Sequence, residues 1–295
     1  MNMIASFGMD TISLAGGLEA KLDAIAAAGF SQVMLNARDI VGHPGGVPAA
    51  VAAVRASGLR VTGFQVLRDF EGLSGHLHDY KVDIAKSMLE MCAALDSRVL
   101  LACSSVSRHA TQDLDAIARD LRKLAMLAIP LGVRIAFEGL SWGRTINEYT
   151  TAWDVVCRAD TPNLGIGIDS YHILAAQTPL DTLDELDPER IFLVQLSDFM
   201  WQETASFEDR MTTARTFRVF PGEGVHNDTL ADIVLRLDAI GYDGDYSFEV
   251  FNDDYQQIPL ATVAQRARRS AMWLHEDVLH REVALPDWTR AGQHA

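Results

Sequence analysis

From end to end the chain swaps one hydrophobic period for another. Short apolar runs with strand-like alternation are each followed by a longer stretch whose apolar residues recur at helical spacing. Strands are expected over 2–8, 31–36, 60–68, 98–104, 133–140, 163–172, 190–198 and 245–251. Helices are expected over 14–30, 47–58, 79–95, from Thr111 to a stop at Pro130–Gly132, over 147–158, a short one within 180–187, then 229–240 and 260–278. Strands separated by helices must pair in parallel through right-handed crossovers. Eight such units point to closure as a (β/α)8 barrel, an α/β fold that reaches this length as one domain. The first strand-to-helix turn lacks a Gly-rich phosphate fingerprint, which argues against a doubly wound dinucleotide fold. The barrel is expected to occupy residues 1–279, with 280–295 a polar C-terminal extension.

Four successive strands break their own pattern near the C-terminal end with an oxygen-bearing side chain. They are VRIAFEGL with Glu138, NLGIGIDSYH with Asp169, RIFLVQLSD with Gln195 and DYSFEVF with Glu249. Burying a carboxylate or carboxamide among Ile, Val, Leu and Phe is costly unless something pairs with it. Each could find its own Arg, Lys or backbone amide, but four at matching strand ends are most simply explained by one hard divalent cation. Mg²⁺ or Mn²⁺ suits oxygen donors best, and Co²⁺ or Zn²⁺ can occupy such a set. Alternation orients them. In NLGIGID, Gly165, Gly167 and Asp169 share one face and Leu164, Ile166 and Ile168 the other, so the large apolar set should meet the helices and Asp169 the barrel mouth. The same rule sets Ser247 and Glu249 against Phe248 and Val250, and Gln195 against Val194 and Leu196. Catalytic sites of such barrels lie at this end.

A formal charge of −15 disfavours nucleic acid and anionic membrane surfaces, where affinity comes from Lys and Arg on phosphates. Neither a signal-like start nor an apolar run long enough to span a bilayer is present, so a cytoplasmic protein is expected. Cys92, Cys103 and Cys157 are odd in number, form no CxxC pair and sit in apolar stretches, and are read as buried reduced thiols. Assembly into a homo-oligomer is compatible with all of this.

Other residues fall near the expected mouth. His172 follows Asp169 by three residues, and an imidazole beside a metal can carry protons near neutral pH. Arg68 closes the third strand, and Arg218 precedes the Pro/Gly turn FPGEG; a fixed guanidinium suits a substrate carboxylate, phosphate or enolate oxygen. Residues 199–217 show no clean period and contain Met200, Trp201, Phe207 and Phe217, which fits a lid or a subunit contact. Arg210 and Arg215 lie in that stretch and compete with Arg218 as an anion anchor.

The segments LRDFEGL (67–73), GLSWGRTINEY (139–149), DSYHIL (169–174), IFLVQLSD (191–198) and SFEVFNDDYQQ (247–257), with FRVFPGEG between the last two, carry a family resemblance. The chain resembles the xylose-isomerase-like barrels, the sugar phosphate isomerases and epimerases, from about residue 5 to 275. That group includes inosose isomerases and dehydratases and hydroxypyruvate isomerase. Within it the pattern is most similar to bacterial 3-dehydroshikimate dehydratases. The resemblance implies that Glu138, Asp169, Gln195 and Glu249 bind the metal, that His172 and Arg68 act at the substrate, and that Arg218 and Trp142 help to bind it. Many sugar 3-epimerases carry His at the position of Gln195, whereas hydroxypyruvate isomerase-like members share the Gln. The 199–217 stretch departs from the dehydratase pattern by being longer and more charged. The implied reaction is proton removal beside a carbonyl of a carboxylated small-molecule hydroxyketone, followed by loss of the β-hydroxyl to give protocatechuate. In an isomerase or epimerase the same enediolate would instead be reprotonated elsewhere. A DNA-repair metalloenzyme on the same barrel would need a basic groove and a His-rich cluster, and His43, His76 and His78 are not at strand ends. A non-catalytic sugar-binding barrel would need the donor set without proton chemistry.

Overall fold

Eight parallel strands close into a barrel in sequence order, in a computed structural model that describes residues 4–280. The strands are β1 (Phe7–Asp10), β2 (Gln32–Asn36), β3 (Arg60–Arg68), β4 (Val99–Cys103), β5 (Arg134–Glu138), β6 (Leu164–Asp169), β7 (Ile191–Leu196) and β8 (Tyr246–Phe248). Ten α-helices are found among the described residues. They are α1 (Leu18–Ala27), α2 (Ala37–Val41), α3 (Gly46–Ser57), α4 (Gly75–Ala94), α5 (Leu114–Ala128), α6 (Tyr149–Ala159), α7 (Ser170–Ala176), α8 (Phe207–Thr216), α9 (Asn227–Ala239) and α10 (Leu260–Trp273). None is long and apolar enough to cross a membrane. Of the polar extension expected over 280–295, residues 281–295 lie outside the described residues.

Side-chain alternation sorts the two layers. Leu164, Ile166, Ile168, Val194, Leu196, Phe248 and Val250 belong to the large core between barrel and helices, as period-two reasoning requires. A smaller cluster that includes Met34, Leu101, Cys103 and Ala136 fills the barrel interior. Gly167 keeps that interior open, because a Cβ there would stand 3.3 Å from Leu101 Cδ1 and 3.6 Å from Glu138 Cβ. Helix ends follow their local chemistry. Asp113 caps α5, accepting from Asp115 N at 3.0 Å, and Gly58, with φ of 70°, ends α3 in the left-handed region.

Several expectations need correction. The first strand begins at Phe7, because residues 4–6 form a turn in which Phe7 N bonds Ile4 O at 2.9 Å. The last strand stops at Phe248, although Glu249 N still reaches Leu196 O at 3.3 Å. A helix, α7, starts directly after Asp169, so His172 is helical, and the 180–187 helix is a 3₁₀ turn over Asp181–Glu185. The 199–217 stretch contains α8, whose capping box pairs Ser206 with Asp209 in both directions. Cys92 and Cys103 are buried, but Cys157 is exposed on the outer face of α6.

Candidate active site

The C-terminal ends of β5 to β8 each deliver one polar side chain inward. Cys103 pairs in register with Glu138, Asp169 with Gln195, and Gln195 with Ser247, two residues before Glu249. Glu138, Asp169, Gln195, Glu249 and His172 are all buried, none more than 5% exposed. Ligand atoms of Glu138, Asp169 and His172 lie within 4.8 Å of one another. Glu249 is tied to the same group by Arg218, whose Nη1 donates to Asp169 Oδ2 at 2.8 Å and to Glu249 Oε2 at 3.0 Å.

Crowded carboxylates in a dry site cannot all ionise freely. Burial, then Asp169 and Glu249, push Glu138 up to about 8. Asp169 and Glu249 are also raised, by burial first, although Arg218 pulls both back down. Burial works against the Arg218 charge, but the carboxylates of Asp169 and Glu249 outweigh it and hold it firmly protonated. Its guanidinium is further fixed by Nε donating to Ala214 O at 2.9 Å and by lying 4.3 Å over the Tyr171 ring. One buried guanidinium can balance only one of the three carboxyl groups, so the others favour a proton or a further cation.

His172 has an assignable tautomer. Ser141 N donates to its Nδ1 at 3.1 Å, so in the neutral ring the proton sits on Nε2, 3.6 Å from Asp169 Oδ2. Burial, reinforced by Arg218, holds its pKa well below the usual imidazole value, so the ring is neutral at pH 7. Trp142 stands edge-on to it at 4.9 Å between ring centres. Asp169 meanwhile caps α7 by accepting from Tyr171 N at 2.8 Å, which fixes the turn that presents His172.

A cavity opens over this cluster, lined by Arg68, Trp142, His172, Arg215, Arg218 and Glu249. Arg68 and Arg215 are exposed at its rim, Arg215 brought there by α8. Arg210 points elsewhere, its Nη1 donating to Ser141 O at 3.3 Å. Helix α8 is moored to α7 by Tyr171 Oη donating to Arg210 O at 2.5 Å, and the segment leading into α8 by Thr204 Oγ1 donating to Ala175 O at 2.8 Å. The expected residues therefore gather at one place, except that Arg210 is spent on the backbone.

Sequence reasoning overlooked Asp10, Gln65, Cys103 and Ser141. Asp10, fully buried at the end of β1, accepts from Gln65 Nε2 of β3. Both break apolar runs, ASFGMD and VTGFQVL, by the same rule that singled out Glu138 and Gln195. Cys103 Sγ donates to Glu138 Oε2 at 2.9 Å, and burial, then Glu138 itself, pushes the thiol well above its usual pKa, so it stays a donor.

The residues fit a divalent cation. Glu138 Oε1 and Gln195 Nε2 are buried with no hydrogen-bond partner, and a half-turn of the Gln195 amide exchanges its nitrogen for oxygen. Glu138 and Asp169 thus offer buried carboxylate oxygens to a metal ion, with His172, whose Nε2 carries the proton, standing beside them within 4.8 Å.

A closed eight-stranded parallel barrel with an acidic and imidazole cluster at its C-terminal mouth is an architecture that comparison with known proteins also finds. The sequence profile of the xylose isomerase-like TIM barrel family matches residues 22–276, and the chain belongs to that family. It is 38% identical over 267 residues to a 3-dehydroshikimate dehydratase of Pseudomonas aeruginosa, covering 90% of this chain and 41% of the relative. It is 26% identical over 199 residues to an inosose isomerase of Bacillus subtilis, covering 66% of this chain and 69% of that protein. Among solved structures, a xylose isomerase-like TIM barrel/4-hydroxyphenylpyruvate dioxygenase fusion protein superposes with a TM-score of 0.87 at 32% identity, over 94% of this chain and 43% of that one. The chain thus spans about two-fifths of the length of the Pseudomonas relative and of the fusion protein.

Proposed function

We propose that the chain is a metal-dependent 3-dehydroshikimate dehydratase, a hydro-lyase that forms protocatechuate by enolisation and loss of water. The observation that carries this reading is the gathering of Glu138, Asp169 and His172 within 4.8 Å at the barrel mouth, in a chain 38% identical to a protein of that name. Glu138, Asp169, Gln195 and Glu249 would hold the cation, with Mg²⁺ or Mn²⁺ the best match for the oxygens. When bound, a divalent ion supplies Lewis acidity toward a substrate carbonyl. With Nδ1 held as an acceptor, the neutral His172 ring offers Nε2–H as a hydrogen-bond donor to a substrate oxygen as charge gathers there and keeps that proton, while the departing hydroxyl is protonated by the carboxyl group that took the carbon proton. The base that takes the carbon proton then comes from the carboxylate cluster. Arg68, with Arg215 beside it, anchors the ring carboxylate, and the burial of Trp142 against His172 excludes water from the proton's path. Arg218 acts mainly by holding Asp169 and Glu249, with any contact to substrate oxygen secondary.

The alternative is an isomerase or epimerase working through the same enolate, which the likeness to an inosose isomerase favours. Two exposed guanidiniums at the rim suit a carboxylated substrate better than a neutral polyol ketone. The enzyme is taken to act on a diffusible small molecule in the cytoplasm, without nucleic-acid or membrane partners. The test is to incubate Mg²⁺- or Mn²⁺-loaded protein with 3-dehydroshikimate and follow the ultraviolet absorbance of a catechol acid. Chelation should abolish its appearance and added metal restore it. No catechol acid, with conversion of an inosose instead, would move the assignment to the isomerase.

A further inference from the structure

The three carboxylates of the cluster are not held alike. Asp169 is fixed by Tyr171 N and Arg218, and Glu249 by Arg218. Glu138 receives neither; among the described residues, the hydrogen-bond donor to its side chain is the Cys103 thiol, with Sγ 2.9 Å from Oε2. The contact is built into the barrel. Val99, Leu101 and Cys103 alternate onto the inner face of β4, and the last of them pairs in register with Glu138 on β5. Ser104 N, the next residue, bonds Glu138 O at 2.8 Å, locking the backbone beneath the side-chain pair. Cys103 is 5% exposed and Glu138 is 4% exposed, so water does not compete for Oε2. The other oxygen, Oε1, is buried and has no partner.

We propose that Cys103 is a positioning residue whose S–H clamps one oxygen of Glu138 and leaves Oε1 as the single oxygen available to a cation. This rests on the metal reading above. The thiol is not itself a ligand. Groups that orient metal ligands in this way typically contribute about 10–100-fold in metal affinity.

The experiment measures Mn²⁺ affinity by isothermal titration for the wild type, Cys103→Ala, Cys103→Val and Cys103→Ser, with thermal midpoints of the metal-free proteins taken alongside. Valine keeps the volume without the donor, and serine keeps a donor. Ala and Val should bind Mn²⁺ about 10–100-fold more weakly, and Ser should recover most of that loss. Unchanged affinity in Ala and Val overturns the proposal, as does Ser binding as weakly as Val, which would assign the effect to packing. If Val does not fold, the Ala and Ser comparison decides. Co²⁺-loaded wild type should show no thiolate-to-metal charge-transfer band in the near ultraviolet; such a band would make Cys103 a ligand and sink the idea. A wild type that binds no Mn²⁺ removes the parent reading as well, whereas equal affinity in all four proteins removes this proposal alone.

Discussion

Replacing Arg218 by methionine probes the charge balance of the site directly. The side chain is 3% exposed and its Nη1 bridges Asp169 and Glu249 at 2.8 and 3.0 Å. Methionine fills similar space but leaves two buried carboxylates facing each other and Glu138 with no buried counter-charge. Breaking a buried pair from one side costs about 3–5 kcal/mol, because the abandoned charges cannot regain water. For a barrel of this size that corresponds to a fall of about 10 °C in the thermal midpoint near neutral pH. The direction with pH follows from the raised carboxyl groups. Burial already raises the pKa values of Asp169 and Glu249 on folding, and Arg218 is what restrains both. Without it their folded pKa values rise further above the unfolded ones. The linkage penalty is therefore absent below the unfolded carboxyl pKa and accumulates as pH rises toward the folded values. Thermal scans of chelated R218M and wild type between about pH 4 and pH 8 should show a deficit that widens with pH. Added Mg²⁺ or Mn²⁺ should narrow it in the upper part of that range. A deficit independent of pH and indifferent to metal would refute the account, since loss of packing over Tyr171 alone would then explain the change.

Two further substitutions test the shell around the site. Glu71, in the β3–α4 turn, is buried, and its Oε1 accepts from Ser105 N at 2.5 Å; burial pushes it up to about 8. Its neutral form is favoured on folding, so stability falls as pH rises from the unfolded value of 4.5 toward 8. Glu71→Gln mimics the neutral acid and should gain up to about 3 kcal/mol at pH 7 and almost nothing at about pH 4.5; an equal effect at both pH values refutes it. Ser206→Ala removes half of the α8 capping box, worth about 1 kcal/mol. Amide hydrogen exchange within residues 207–216 should accelerate about fivefold while the global midpoint barely moves. Exchange unchanged across that segment would show that the moorings to α7, not the cap, hold α8 over the cavity.

What could be read from the chain depended on where burial forces a choice. A carboxylate inside an Ile/Val/Leu strand is costly enough to stand out, so Glu138, Asp169, Gln195 and Glu249 were legible one strand at a time, and alternation supplied their direction. Asp10 and Gln65 obey the same rule, yet each looks ordinary alone; they are 55 residues apart, and only barrel closure joins them. Cys103 escaped for the opposite reason, since a thiol passes as apolar filler and its hydrogen bond to Glu138 depends on β4–β5 register. Helix α8 left almost no hydrophobic signal because it buries little beyond Thr213 and Ala214. Its trace was local: Ser206 followed three residues later by Asp209, a cap without the apolar stripe that normally accompanies one. The same lack of burial made its arginines hard to tell apart. Arg210 is held on Ser141 O, while Arg215, one turn further along α8, faces the cavity. The buried polar residues of this cluster are thus visible as exceptions to strand chemistry, because the barrel penalises every polar group it buries. Arg215 sits on a surface helix where charge is free of that penalty, and only the three-dimensional placement of α8 separates this guanidinium at the rim from its neighbour Arg210.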